Sequence, residues 1–445
     1  MYIKRALETS ITEASAVFPV LVLTGPRQVG KTTLLRHLGD GKRNYVTLDD
    51  PDARHLAQND PAMFLQRYTP PVTIDEIQYA PEILPFIKMS VDASQRKGDF
   101  WLTGSQAFHT INQHRRKRTG YGCLGKEFDS GFDTSNPSHT MRNVSESLAG
   151  RAGIMRLLGL SSNEIAGIGS QPFTTDPKRL MSRLNVAPKV APKSIWEQIF
   201  SGGMPGLLTN PNIEMFFSSY ISTYLQRDIR SLAQVADEMA FFNFMVCVAA
   251  RTATPINFDD LARDAGISAP TAKKWLSVLV SSHIVTLVQA YSNNALKRIV
   301  KMPLLHFLDT GLCAYLLKWN SAEVLEVGAM SGAFFESWVF SQIYKSWLNA
   351  GKEPPIFYYR DKDKREIDIL LVENGKLYPI EIKKAASPGK DSVKNFKALQ
   401  PVAEPERFGI LEQHKLEVGC GAVVCMANDL IPIDQKNWCV PAWLI

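Results

Sequence analysis

Nowhere in the 445 residues does an apolar run reach the roughly 18 residues that a membrane-spanning helix requires. The nearest, Met239 to Ala250, is 12 residues long and is interrupted by Asn243. The first residues hold no apolar segment before a small-residue cleavage site, so no secretory leader is expected. Cysteine is sparse: six, at positions 123, 247, 313, 420, 425 and 439. No two stand in C-x-x-C spacing, which argues against a zinc module or a disulfide framework. These absences point to a cytoplasmic protein without a membrane partner. Charge of one sign is not in large excess either. The net charge of +6 permits a nucleic-acid partner without requiring one. Hydrophobic and charged fractions of 45% and 21% are those of an ordinary globular protein. The length accommodates about two to four domains.

What is present begins at Leu21-Val22-Leu23-Thr24, a short apolar run that reads as a buried strand. It leads into Gly25-Pro26-Arg27-Gln28-Val29-Gly30-Lys31-Thr32-Thr33, and then into a helical pattern through Leu34, Leu35 and Leu38. Strand, glycine-rich loop and helix are the context of a P-loop. The loop from Gly25 to Thr33, through its backbone N–H groups other than at Pro26, and the positive end of the helix would cradle the phosphates of ATP. Lys31 would reach the β- and γ-phosphates, and the Thr32 hydroxyl would hold Mg²⁺.

Asn44 to Leu48 reads as a second strand, followed by a helical stretch from Pro51 to Tyr68. Val72-Thr73-Ile74-Asp75-Glu76 is an apolar strand ending in two acids, the Walker B pattern. Asp75 would bind Mg²⁺, and Glu76 is placed to act as general base on the attacking water. Phe100 to Thr103 is a further strand, ending in Gly104-Ser105-Gln106 at the sheet edge where ligands bind. Ser105 is a candidate sensor of the γ-phosphate or of that water.

These three motifs, with Val144-Ser145-Glu146-Ser147-Leu148-Ala149-Gly150-Arg151, resemble the bacterial and archaeal AAA-type ATP-binding proteins that carry a C-terminal domain of unknown function. The resemblance implies that Arg151 senses nucleotide, in cis or towards a neighbouring subunit of a homo-oligomer. One stretch departs from the family. His109-Thr110 and His139-Thr140 bracket an added segment, and removing residues 111–140 restores a smooth reading. With Arg115-Arg116-Lys117-Arg118 and many small polar residues, it is expected as an inserted surface loop that impairs hydrolysis.

Residues 161–195 are rich in Ser, Thr, Pro and Lys and read as linker; Phe216 to Val235 reads as a helix. Phe258 to Leu279 reads as a helix-turn-helix, with Gly266 at the turn and Ser268 capping the second helix. Two strands, Ile284 to Tyr291 and Leu296 to Phe307, would add a hairpin and make a winged helix. DNA contact would use Lys273, Lys274, Lys297 and Arg298. The alternative is a winged helix used only to pack against protein.

Near the end, Glu366 to Glu373 and Lys376 to Lys383 flank Asn374-Gly375, a type I′ hairpin signal. Counting out from Glu373 opposite Lys376 puts Asp368 opposite Glu381 and Glu366 opposite Lys383. Those four would share one face, with Ile367, Ile369, Ile380 and Ile382 on the other. Asp368, Glu381 and Lys383 resemble the core of the PD-(D/E)xK nucleases. That family implies a further glutamate from a preceding helix. Glu336, in line with Phe340, Ile343 and Trp347, fills that place and joins Asp368 and Glu381 as Mg²⁺ ligands. The alternative is a charge ladder, or a nuclease fold without activity.

The fold class expected is therefore α/β. A P-loop AAA-type domain spans 1–160, a linker and helical region 161–235, a winged helix 236–325, and an α/β restriction-endonuclease-like domain 326–445. Three functions fit. One is an ATPase coupled to a DNA-directed C-terminal region, another an ATP-dependent nuclease, and the third a nucleotide-gated protein switch that does not touch DNA.

Overall fold

Apolar runs too short for helices become the strands of a parallel sheet. In the computed structural model, which describes residues 2–104, 148–210, 212–224, 237–292, 302–361, 363–399 and 416–445, five strands make it. They are β1 (Val20–Thr24), β2 (Asn44–Thr47), β3 (Val72–Asp75), β4 (Phe100–Gly104) and β5 (Ala152–Arg156). Their order is β2-β3-β4-β1-β5, with every pair parallel. β1, β3 and β4 are buried along their whole length, as parallel strands covered on both faces must be. β5 is a strand that the sequence reading lacked. Residues 105–147, between β4 and β5, lie outside the described residues, and with them Ser105 and the expected insertion.

The stretch from Pro51 to Tyr68 is two helices, Pro51–Asn59 and Pro61–Arg67, not one. Pro61 has no N–H to continue the first helix. Asp60 restarts the chain by accepting from Met63 N–H at 2.9 Å. Residues 161–195, expected as linker, are instead packed. Phe173 is fully buried, its N–H donates to Ser346 Oγ, and Thr175 Oγ1 donates to Cys420 O. Helices Pro177–Leu184 and Pro192–Ser201 follow.

Next comes a small unit of helices Phe258–Asp264 and Ala269–Ser281 beside a three-stranded antiparallel sheet. Its strands are β6 (Thr254–Pro255), β7 (Val285–Val288) and β8 (Leu304–Phe307), in the order β6-β8-β7. Gly266 has φ +67°, and Ser268 caps the second helix through Thr271 N–H. Residues 293–301, which include Lys297 and Arg298, lie outside the described residues.

The last sheet is mixed. It contains β9 (Ile356–Arg360), β10 (Glu366–Glu373), β11 (Lys376–Lys383), β12 (Glu417–Val418), β13 (Gly421–Cys425), β14 (Ile431–Pro432) and β15 (Asn437–Pro441). The path is β14-β15-β13-β11-β10-β9, with β12 also on β11. Helix Ser331–Asn349 covers one face, and the segment Lys390–Leu399 covers the other with Val393, Phe396 and Leu399. The two sheets are not separate bodies. One hydrophobic cluster runs from Leu7, Leu21 and Leu23 at the first sheet to Ile369, Ile380 and Trp443 at the last.

Candidate functional site

The chain leaves β1 through Gly25, whose φ of +148° and surroundings admit no side chain: a Cβ there would lie 1.9 Å from Leu157 O. Gln28 (φ +60°) and Gly30 (φ +92°) complete the turn into helix Lys31–Gly39. Pro26 and Val29 are buried, Arg27 and Gly30 half-buried, and Gln28 and Thr33 exposed. Among the described residues no side chain caps the helix at its N-cap Gly30. Lys31 is buried under this loop, its Nζ donating to Gly25 O at 2.9 Å and Pro26 O at 2.7 Å.

Thr32 and Asp75 meet across the sheet edge. Thr32 Oγ1 lies 3.0 and 2.9 Å from the two Asp75 carboxylate oxygens. Two residues not assigned a role from sequence complete the cluster. Tyr45 OH donates to Asp75 Oδ2 at 2.9 Å, and Thr103 Oγ1 donates to Asp75 Oδ1. Burial and the Asp75 charge push the Tyr45 phenol well above its usual pKa, so it remains a donor. The Thr103 hydroxyl also accepts from Glu76 N–H at 3.1 Å. Glu76 itself turns off the strand in the left-handed region (φ +57°), and Gln78 Nε2 donates to its carboxylate. The only sequence signal for Tyr45 and Thr103 is position: both lie on strands flanking β3, and Thr103 is near the carboxyl end of its own.

The second cluster forms at one end of β10 and β11. Asn374 and Gly375 both have positive φ, at +51° and +73°, and Glu373 pairs with Lys376 as expected. The ladder then stops at Ile369 opposite Ile380, before the expected pairs. A bulge on the β9 side, between Ile367 and Leu370, bends β10 away. Asp368 therefore uses its side chain, accepting from Ile382 N–H at 2.7 Å. Glu366 faces Arg360 on β9 and not Lys383, with an ion pair of 2.9 Å. The bulge also splits the isoleucines. Ile367 packs with Leu370 and Val423 on one face; Ile369, Ile380 and Ile382 pack on the other.

Although the ladder ends early, Glu336, Asp368, Glu381 and Lys383 converge, close enough for their charges to interact. Burial first, and then the Asp368 charge, push the Glu381 carboxyl up to about 7. Burial also raises Asp368, while Ile382 N–H works against that rise. Glu336 is raised well above the carboxylate range by burial and by both other acids. Lys383 Nζ donates to Glu381 Oε1 at 2.7 Å, whereas the buried Glu381 Oε2 has no hydrogen-bond partner among the described residues. Burial works to depress Lys383, but the bond and charge of Glu381 outweigh it and hold the ammonium above its ordinary range. Among the described residues no three His, Cys, Asp or Glu side chains form a ready ligand set for a metal ion.

Residues 17–124 match the family model described as an AAA domain. This stretch is an AAA-type ATP-binding domain. Residues 192–323 and 331–445 match two models, each described as a domain of unknown function (DUF8612 and DUF4143). Similar relatives include uncharacterized proteins of Mycobacterium bovis and Mycobacterium tuberculosis. Each is 27% identical over 376 residues, covering 83% of this chain and 71% of the relative. Among solved structures, a Walker-type ATPase of Pyrococcus abyssi aligns at 13% identity over 70% of this chain and 94% of its own, with a TM-score of 0.39. RuvB of Thermotoga maritima aligns at 18% identity over 63% and 85%, with a TM-score of 0.25.

Beyond the AAA domain, Arg151 stands far from the loop. It precedes β5 and its carbonyl accepts from Val20 N–H at the amino edge of β1, a strand length from Gly25. There it pairs with Asp92 at 2.5 Å, on the surface. A sensor role in cis does not fit that position. The arginine opposite Thr24, at the loop edge, is Arg156, which donates to Tyr344 OH at 3.1 Å and to Glu353. His283, at the end of helix Ala269–Ser281, lines a small pocket with Pro26, Gly159 and Asp309. Burial and the charges of Arg156 and Lys31 push its imidazole down to about 3. Lys273 and Lys274 are exposed on that helix, and the Lys273 ammonium sits 5.5 Å from the Phe258 ring centre. No helix among the described residues is long and apolar enough to cross a membrane.

Proposed function

We propose that this protein is a Mg²⁺-dependent AAA-type ATPase that couples nucleotide binding and hydrolysis to a DNA-directed C-terminal region. The observation that carries the reading is the contact of Thr32 with Asp75 beside the Lys31 loop. A hydroxyl and a carboxylate side by side at the carboxyl edge of a parallel sheet suit a Mg²⁺ ion, which would neutralise charge on the phosphates. Gly25 to Thr33 supply the phosphate cradle. Lys31, now donating to two loop carbonyls, turns its ammonium onto phosphate oxygen. Glu76 accepts a proton from the attacking water, held by Gln78 at its carboxylate and by Thr103 at its backbone. Ser105 and Arg151 remain candidate sensors, Arg151 only towards a neighbouring subunit.

The domain limits proposed are 1–160, 161–235, 236–325 and 326–445. The winged-helix reading rests on the helix pair and the β6-β8-β7 sheet. Coupling is supported by helix Ser331–Asn349. It carries Glu336 near one end, and towards the other it donates from Lys345 Nζ to Leu160 O at 3.0 Å, just past β5. ATP turnover by the full chain, lost in Lys31→Ala, tests the first claim. A gel shift on DNA with and without ATP tests the second, and an absent shift favours the protein-switch reading.

A specific observation favours a nuclease as the second reading. The buried, unpartnered Glu381 Oε2 and three mutually raised carboxyls suit a divalent cation held by Glu336, Asp368 and Glu381. Such an ion would stabilise charge on a phosphodiester, with Lys383 beside it. Mg²⁺- or Mn²⁺-dependent cleavage that disappears in Asp368→Ala is the test. Cleavage that persists in that variant refutes it.

A further inference from the structure

The residue that attaches the phosphate loop to the rest of the molecule lies before the AAA match. Arg5 is buried, only 4% exposed, and its guanidinium makes three inward bonds. Nη1 donates to Val29 O at 2.7 Å, Nη2 to Leu158 O at 2.7 Å, and Nε to Glu164 Oε1 at 2.9 Å. Glu164 is fixed in turn. Its Oε1 accepts from Ala6 N–H, and its Oε2 accepts from Ser161 N–H and Oγ. Leu158 follows Leu157, the residue whose carbonyl crowds Gly25.

We propose that Arg5 is a positioning residue for nucleotide binding, setting the Val29–Gly30 peptide so that its N–H faces the phosphates. The proposal rests on the ATP-binding reading of the loop. A trans peptide is planar and its C=O and N–H point in opposite directions. Drawing the Val29 oxygen onto a guanidinium therefore turns the Gly30 N–H away from Arg5. A charge-assisted bond to the oxygen also polarises the amide and strengthens its N–H as a donor. Gly30 tolerates the required backbone, with φ +92°, and its missing Cβ would stand 3.9 Å from Arg5 Nη1. Arg5 does this for the loop only because Leu158 and Glu164 hold the other two arms of its fork. Lysine, a point charge, cannot serve three acceptors in this geometry.

The test uses the full chain, with ADP and Mg²⁺ in a calorimeter and ATP in a turnover assay. Arg5→Lys and Arg5→Gln are expected to raise the ADP dissociation constant at least about tenfold, or about 1.4 kcal/mol. The KM for ATP should rise by a similar factor while kcat stays within about threefold, the pattern of lost uniform binding. Ile11→Val, a core change in the following helix, should lower the unfolding temperature and leave ADP affinity as it was. Unchanged ADP affinity in both Arg5 variants overturns the proposal, as does an equal loss in Ile11→Val. If neither Arg5 variant folds, the unaltered chain decides by nuclear magnetic resonance. The Arg5 Nε and Nη protons should exchange slowly and shift when ADP is added; signals indifferent to ADP overturn the proposal. A wild-type chain that binds no ADP would instead remove the ATP-binding reading itself.

Discussion

Two acidic centres lie at opposite ends of this chain, and they are solvated differently by their own protein. At the phosphate loop Asp75 receives hydroxyls from Thr32, Tyr45 and Thr103. Its charge is met by donors before any ligand arrives. At the C-terminal hairpin Glu336, Asp368 and Glu381 meet one another, one lysine and one backbone N–H, and among the described residues a buried Glu381 oxygen is left without a partner. Buried carboxylates without donors shift towards their neutral form. The first centre is organised in advance. The second is held by burial and mutual charge, which favour protonated carboxyls.

The largest effect that would sharpen this contrast is Lys31→Ala. Nucleotide binding, read by calorimetry, should be lost, and the divalent-ion response of the hairpin should stay intact. A joint loss would show that the two centres are not independent. Glu76→Gln should slow ATP turnover by about 10²–10⁴-fold with ADP affinity retained; wild-type turnover would remove Glu76 as base. Gly25→Ala drives a Cβ to 1.9 Å from Leu157 O, and denaturant unfolding should show a loss of about 1–3 kcal/mol or more.

A smaller effect comes from pH at the second centre. The folded pKa of Glu381, about 7, lies above its ordinary value of 4.5. Protonation therefore favours the folded state. That stability is complete below pH 4.5 and is lost as pH rises through about 7. Thermal unfolding of Glu381→Gln should be flatter than wild type across that window. Mg²⁺ at pH 8 should raise the wild-type unfolding temperature and leave the Gln variant unmoved. A second pH effect has the opposite sign. His306, buried and pushed down to about 3 from 6.5, costs stability as pH falls below 6.5. His306→Gln should remove that part of the acid slope in the same unfolding experiment.

Much of the first centre was legible along the chain. Gly25, Gly30, Lys31, Thr32, Asp75 and Glu76 follow from a loop and a strand end whose rules are local. Tyr45 and Thr103 were not legible, because their role arises from which strand lies beside β3. At the second centre the turn, and the pairing from Glu373–Lys376 as far as Ile369–Ile380, follow from Asn374-Gly375 and a period of two. The approach of Asp368 to Ile382 N–H does not. It accompanies the bulge in β10, which appears only in its pairing with β9, a different segment.

By itself the sequence determined the phosphate loop, its acidic strand end, the hairpin and the residues that would carry chemistry. Each of these is set by backbone sterics, turn chemistry or side-chain alternation within a few residues. Only the tertiary structure decided that Arg151 points away from the loop and that residues 161–195 are packed rather than free. It also decided that Arg5 holds Val29, and that one helix reaches from Glu336 to the segment beside the loop. These depend on contacts between residues more than a hundred positions apart in several cases. No local pattern encodes which buried carbonyl or carboxylate will need a distant donor.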